Sequence, residues 1–179
     1  MSHQLFDEKL QVFISSQMRR NTLLKERRAA RRAISAVPFC KPWGWEDESF
    51  LNSFPPMELC LAEVKKSDAL VLILGSDLTR NTYLEFKEAA GKHRMVLNKR
   101  CGKSEEARRF FRRVRRQTTY GEFHNLAELK TWIINSLMRW FKPVEAMRLW
   151  SETRIRSQVP YPDLRIHEAV IRRRRRQGK

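Results

Sequence analysis

The stretch "LVLILGSDLTRNTYLEF" (residues 70–86) carries two carboxylates just behind an apolar run. A carboxylate held in a pocket can act as an acid, a base or a nucleophile. Asp77 sits in the polar loop and Glu85 in the first turns of the helical pattern that follows, so both are catalytic candidates. Glu85 also fits a plainer reading, an acid near a helix start that complements the dipole. Earlier in the chain, "QVFISS" ends in Ser15 and Ser16. Their hydroxyls, with the backbone N–H groups of Gly75 and Ser76, are of the type that contacts phosphate or ribose. Equally, two serines at that point can cap a helix. Trp43 and Trp45 in "PWGWEDE" offer rings for stacking on a base, or for packing in the core. Asp68 opens the apolar run and is a further candidate acid, whereas Lys25, Glu26 and Arg27 read as a solvated cluster on a helix face.

Which of these residues meet depends on the elements that carry them. Residues 11–16 read as a short buried strand, and residues 19–36 as a helix with Leu23, Leu24, Ala30 and Ile34 on its apolar side. A short strand from residue 37 runs into the Trp-rich loop, and residues 54–67 form a helix with prolines at its start. Residues 68–75 are continuously apolar, the pattern of a central parallel strand covered on both faces. A helix over 82–92, a strand over 94–102, a helix over 103–116, a weak edge strand over 118–124 and a helix over 125–141 follow. Asn125 is the expected cap of the last helix, with Glu128 three residues on.

This alternation predicts an α/β fold: a flavodoxin-like doubly wound parallel sheet of about five strands in the order 2-1-3-4-5. In that order a crevice opens outside the carboxyl ends of strands 1 and 3. Ser15, Ser16, Gly75, Ser76 and Asp77 would lie there, with Glu85 pointing in from the next helix. After Pro143 the pattern changes, so the expected organisation is a domain over 1–142 and a helical extension with a basic tail over 143–179.

Of 179 residues, 37 are Lys or Arg and 20 are Asp or Glu, a formal charge of +17. The expected partners are therefore anionic: a nucleotide substrate, and a nucleic acid or acidic protein. Two segments concentrate the charge. In "RRFFRRVRR" Arg108, Arg109, Arg112 and Arg113 surround a seam of Phe110, Phe111 and Val114, either as a solvated face or as an anion patch. The run Arg172, Arg173, Arg174, Arg175 and Arg176 repels itself until a polyanion arrives. No base-reading motif accompanies them, so nucleic-acid contact would go through phosphates. Cys40, Cys60 and Cys101 form no Cys-x-x-Cys pair and read as reduced, mostly buried thiols of a cytoplasmic protein. The four histidines are scattered, and neither a metal nor a cofactor is expected. The longest apolar run, Ala69–Leu74, is too short for a bilayer.

Taken in order, "VFISS", "LLKERRAARRAI", "AEVKKSDALVLILG" and "NTYLEFKEAA" resemble a bacterial family of uncharacterised domains that opens on a "VFISST"-like strand. That family looks related to Toll/interleukin-1 receptor (TIR) domains and to nucleoside 2-deoxyribosyltransferases. The likeness covers about residues 11–100 and weakens toward 141. Thr82 and Glu85 match the Thr and Glu of the transferases' "G-T-x-x-E" helix start, and Asn81 stands where the glycine usually is. The resemblance implies cleavage of an N-glycosidic bond at ribose or deoxyribose, of NAD or another nucleotide as substrate, with Glu85 as the sugar-facing carboxylate. It also implies a regulated effector, as in bacterial antiphage defence or a retron-like toxin system, held in an oligomer or multi-component assembly. The departure at Asn81 leaves a second reading open, an inactive nucleotide-sensing or partner-binding module.

Overall fold

The computed structural model describes residues 9–18, 22–44 and 57–157, the stretch 142–157 as helical backbone only. The elements alternate throughout: β1 (Leu10–Ser16), α1 (Leu24–Ser35), β2 (Cys40–Trp43), α2 (Met57–Lys66), β3 (Ala69–Leu74), α3 (Arg80–Glu88), β4 (His93–Lys99), α4 (Glu105–Val114), β5 (Thr119–Phe123) and α5 (Leu126–Ser157). Five parallel strands form one sheet in the order β2-β1-β3-β4-β5. This is the doubly wound sheet that the alternation predicts. The chain divides into two compact units, Met1–Trp140 and Phe141–Lys179. The described part of the second is the end of α5, which passes through Pro143 at the loss of one intrahelical hydrogen bond.

β3 explains the layering. All six of its residues are buried, which only helices on both faces can achieve. Phe13, Leu70, Leu72, Leu74 and Val96 face α2, α3 and α4, where they meet Val64, Phe86, Ala89, Ala107 and Phe110. The alternate residues face the other way, because successive side chains of a strand point to opposite faces. There α5 sets Leu129, Ile133 and Leu137 at four-residue spacing, all fully buried, and α1 sets Ala29, Ala30 and Ala33, whose small side chains permit close approach. Fully burying one such leucine or isoleucine contributes about 2 kcal/mol.

The helix starts follow local chemistry. The side chain of Thr79 caps α3 by accepting from the Thr82 N–H, and Ser104 caps α4 by accepting from Ala107 N. Asn125 and Glu128 form the expected reciprocal pair, at 2.9 and 3.0 Å. Two glycines have a specific task. Gly91, at φ +85°, turns the chain out of α3. Gly121 lies under the Trp132 indole, where a Cβ would meet the ring at 2.5 Å.

Several expected boundaries move. α3 starts at Arg80 rather than residue 82, because Thr79 takes the cap. Val37–Phe39 form a turn before β2. α5 runs to Ser157, beyond the expected end at 141. Among the described residues no helix is long and apolar enough to cross a membrane. Cys40 and Cys60 are buried and unbridged, whereas Cys101 is exposed, which corrects its reading as a core thiol.

Candidate active site

The sheet order places the carboxyl ends of β1 and β3 side by side, with Ser15 level with Leu72 and Ser16 with Ile73. β2 ends at Trp43, opposite Phe13. β1 therefore runs on to Ser16 paired with β3 alone among the described strands, and the described residues leave a notch beside its last residues.

Glu85 enters this notch from α3. With the cap at Thr79, Glu85 is the sixth residue of the helix and lies outside its first turn, which holds no acid. It is also buried, at 9% exposure. The dipole reading of Glu85 fails on both counts, since the effect falls off within the first turn. The Ser15 hydroxyl donates to its Oε2 at 2.5 Å. Burial pushes the Glu85 carboxyl up to about 7, and the Ser15 hydrogen bond holds it lower than burial alone would. A carboxylate poised there is half ionised near neutrality and can work in either proton state.

Arg27 enters from the other side. The sequence pattern puts it in a solvated cluster with Lys25 and Glu26, but it is only 4% exposed. Its Nη1 donates to the Ser16 hydroxyl at 3.5 Å and to the Gln17 carbonyl at 3.3 Å. Glu26 is buried as well and pairs with Lys99 at 2.7 Å. Helix periodicity could not reveal this. α1 is too rich in arginine for its charged residues to mark one polar side, and only docking on β1 and β2 selects which charges are enclosed.

Phe13, Ser16, Arg27, Trp43, Cys60 and Glu85, with Ile14 and Met18, enclose a cavity of about 20 Å³. That is room for one water. Trp43 is packed, stacked on Phe13 at 4.7 Å, and it also walls the cavity. Cys60 is held as a neutral thiol, pushed up to about 11 by burial and by the nearby Glu85.

The other expected site residues are distributed more widely. Thr82 is buried beneath the α3 cap, with its hydroxyl 2.8 Å from that of Thr79. Gly75 and Ser76 are tied to the next loop: the Gly75 carbonyl accepts from Lys103 Nζ at 2.9 Å, and the Ser76 carbonyl from Ser104 N at 2.8 Å. Asp77 is exposed on the loop and accepts from the Ser76 hydroxyl. Asp68 lies before β3, at the edge of the sheet opposite Glu85, where its carboxylate accepts from the Gln11 N–H at 2.8 Å. The structure thus brings Ser15, Ser16 and Glu85 together, leaves Asp77 on the rim, and keeps Asp68 away. Trp45 and Arg172–Arg176 lie outside the described residues.

The four helical arginines are exposed, but they are not four free charges. Arg109 and Arg112 both pair with Glu105, at 3.0 and 3.2 Å. Arg108 donates twice to the Lys103 carbonyl, and Arg113 lies over the Tyr83 ring. Among the described residues no cluster of three or more His, Cys, Asp or Glu could hold a metal.

Removing the Ser15 hydroxyl tests the pairing directly. In Ser15→Ala the carboxylate loses its donor, so the Glu85 pKa rises further. Any activity that needs the ionised form falls by about tenfold at pH 7, and the alkaline plateau is kept. A pH–rate profile that does not move would break the link between Ser15 and Glu85.

A family model described as a domain of unknown function matches residues 11–138, from β1 to within α5. No curated protein sequence matches the chain. Among solved structures, a CMP N-glycosidase (BcmB) from Clostridium botulinum is similar, with a TM-score of 0.47 and 13% identity over 68% of this chain and 96% of that one. So slight a likeness says nothing of the chemistry of this site, which rests on the residues themselves.

Proposed function

The chain belongs to the DUF4062 family of domains of unknown function, and on that premise we propose that it is an N-glycosidase of nucleotides acting through Glu85. The observation that carries the reading is the buried Glu85 carboxyl, raised to about 7 and oriented by Ser15 at the carboxyl edge of a doubly wound sheet. Ligands of such sheets bind at that edge.

The proposed reaction runs at the sugar's anomeric carbon. The bond from that carbon to the base nitrogen breaks, and its electron pair leaves with the base. A cationic base such as nicotinamide departs neutral and needs no acid. Ionised Glu85 stabilises the positive charge that develops on the sugar, or attacks to form a glycosyl-enzyme. Water then supplies the hydroxyl and releases a proton. Ser15 occupies one carboxylate oxygen and leaves the other for the sugar. In this reading Arg27, which holds Ser16 and Gln17 and lines the same cavity, supplies the positive charge on the side of the substrate's phosphate.

A specific observation favours a second reading. A cavity of about 20 Å³ is far smaller than a nucleotide, so its walls must move to admit one. A closed site fits an effector that a partner must open, and it also fits a module without turnover. Incubation with NAD, nucleoside triphosphates and deoxynucleosides, followed by mass spectrometry for free base, separates them. Release from none of these, with or without a partner, leaves the binding module.

Arg27 has its own test. Arg27→Met keeps an unbranched apolar stem and removes the charge. The expected result is a KM about tenfold higher for a 5′-phosphorylated substrate and unchanged for the matching nucleoside. Equal losses on both would assign Arg27 to packing.

A further inference from the structure

A second concavity lies at the opposite edge of the sheet, where β4 and β5 begin. It measures about 410 Å³, and Lys92, His93, Arg94, Arg116, Thr118 and Thr119 are among the residues that line it. Strand register creates it. β5 first pairs with β4 at Thr119, opposite Met95, while β4 already pairs with β3 from His93. His93 and Arg94 therefore overhang the start of β5, and the step between the strands is the floor of the hollow.

Its chemistry is one-sided. Among the described residues three cations line it, and no carboxylate does. The plain explanation is that basic residues gather where helices end, because C-terminal carbonyls carry partial negative charge. Two of the three do serve such carbonyls. Lys92 Nζ donates to Lys65 and Ser67 at the end of α2, and Arg94 donates to Phe86 near the end of α3. Magnitude decides what remains. The ends of α2, α3 and α4 together amount to about one and a half negative charges. Three full positive charges exceed that, and a lysine has three donors and an arginine five. Arg116 follows the end of α4 and is exposed.

A further polar group on the wall lacks a partner. The His93 ring is stacked on Trp140 at 4.9 Å, and its Nε2 is buried with no hydrogen bond among the described residues. Burying a polar nitrogen unpaired is costly unless something else completes it.

We propose that this hollow is an anion site for a phosphate ester, carried either by a free nucleotide or by a nucleic-acid strand. It is separate from the Glu85 crevice, because it lies at the other end of the strands. A phosphate there would neutralise the surplus charge and take donors from Arg116 and Lys92, beside the His93 ring.

The test uses the isotopically labelled full chain, titrated in turn with inorganic phosphate, ATP and a short oligothymidylate while NMR spectra are recorded. The His93 ring and the amides of Thr118 and Thr119 are expected to shift and saturate with ATP or with the oligonucleotide. Tighter binding of ATP assigns the site to free nucleotides, and tighter binding of the oligonucleotide assigns it to a strand. Arg116→Glu is expected to weaken the preferred probe by about tenfold and to make its salt dependence shallower by about one counterion. Glu85→Gln keeps that binding. Shifts confined to Arg108–Arg113, unchanged affinity in Arg116→Glu, loss of binding in Glu85→Gln, or no shift with any probe would each overturn the proposal. The wild-type shift map stands even if the Arg116 variant folds poorly.

Discussion

Glu85→Gln is expected to lower base release by about a thousandfold while leaving the fold intact. The amide has the shape of the carboxyl group, and its oxygen can still accept from Ser15, which donates at 2.5 Å in the wild type. What it lacks is negative charge at the sugar and the capacity to form a glycosyl ester. The same argument sets the pH dependence of the wild type. If the ionised form is the reactive one, kcat/KM rises about tenfold per unit below pH 7 and levels above it, because burial holds the free carboxyl at about 7. A profile that instead falls through pH 7 would make Glu85 a proton donor to the leaving base. Full activity in the glutamine variant would remove Glu85 from the chemistry altogether.

The same substitution is expected to stabilise the protein at alkaline pH. Glu85 in the folded state keeps its proton up to about 7, and an ordinary glutamate loses it near 4.5. Between those values the folded state binds more protons than the unfolded state, so stability falls as pH rises through the window. Below the window this cost is absent, and above it the cost is complete. The gap corresponds to about 3 kcal/mol, and the carboxyl is buried enough for most of it to count. Glutamine has no charge to desolvate. Urea unfolding of both proteins at pH 4 and pH 8 measures this: the variant should gain on the wild type by about 3 kcal/mol between the two. A difference that stays constant with pH would mean that the crevice hydrates Glu85 well enough to leave it an ordinary acid. A site that destabilises its own fold to keep a carboxyl near neutrality is the pattern expected of function rather than of structure.

The fold was legible because its signals are local and strong. "ALVLIL" could only be a strand covered on both faces, and the spacing of strands and helices left few other architectures. Asn125 marks a helix start by a side chain that reaches only three residues ahead. Even so, the α3 boundary was off by two residues, since Thr79 takes the cap and the helix begins at Arg80. The site was less legible. Ser15, Ser16 and Glu85 follow from strand order, because that order names the edge where loops converge. Arg27 and Glu26 do not, since nothing in "LLKERRAARRAI" says which of four arginines turns toward the sheet. Asp68 belongs to the right strand at its wrong end, and a motif match does not measure the length of the strand that separates it from Glu85.

The sequence by itself determined the class of fold, the strand order, and the short set of residues from which a site could be made. Those depend on hydrophobic period and on contacts a few residues apart. Only the tertiary structure decided that Glu85 is a buried, raised carboxyl instead of a helix-start acid, that Arg27 is enclosed beside Ser16, and that the described residues leave only a small cavity between them. Each of these depends on which surfaces meet across the sheet. Burial from water, more than residue type, sets what a carboxylate or a guanidinium can do there.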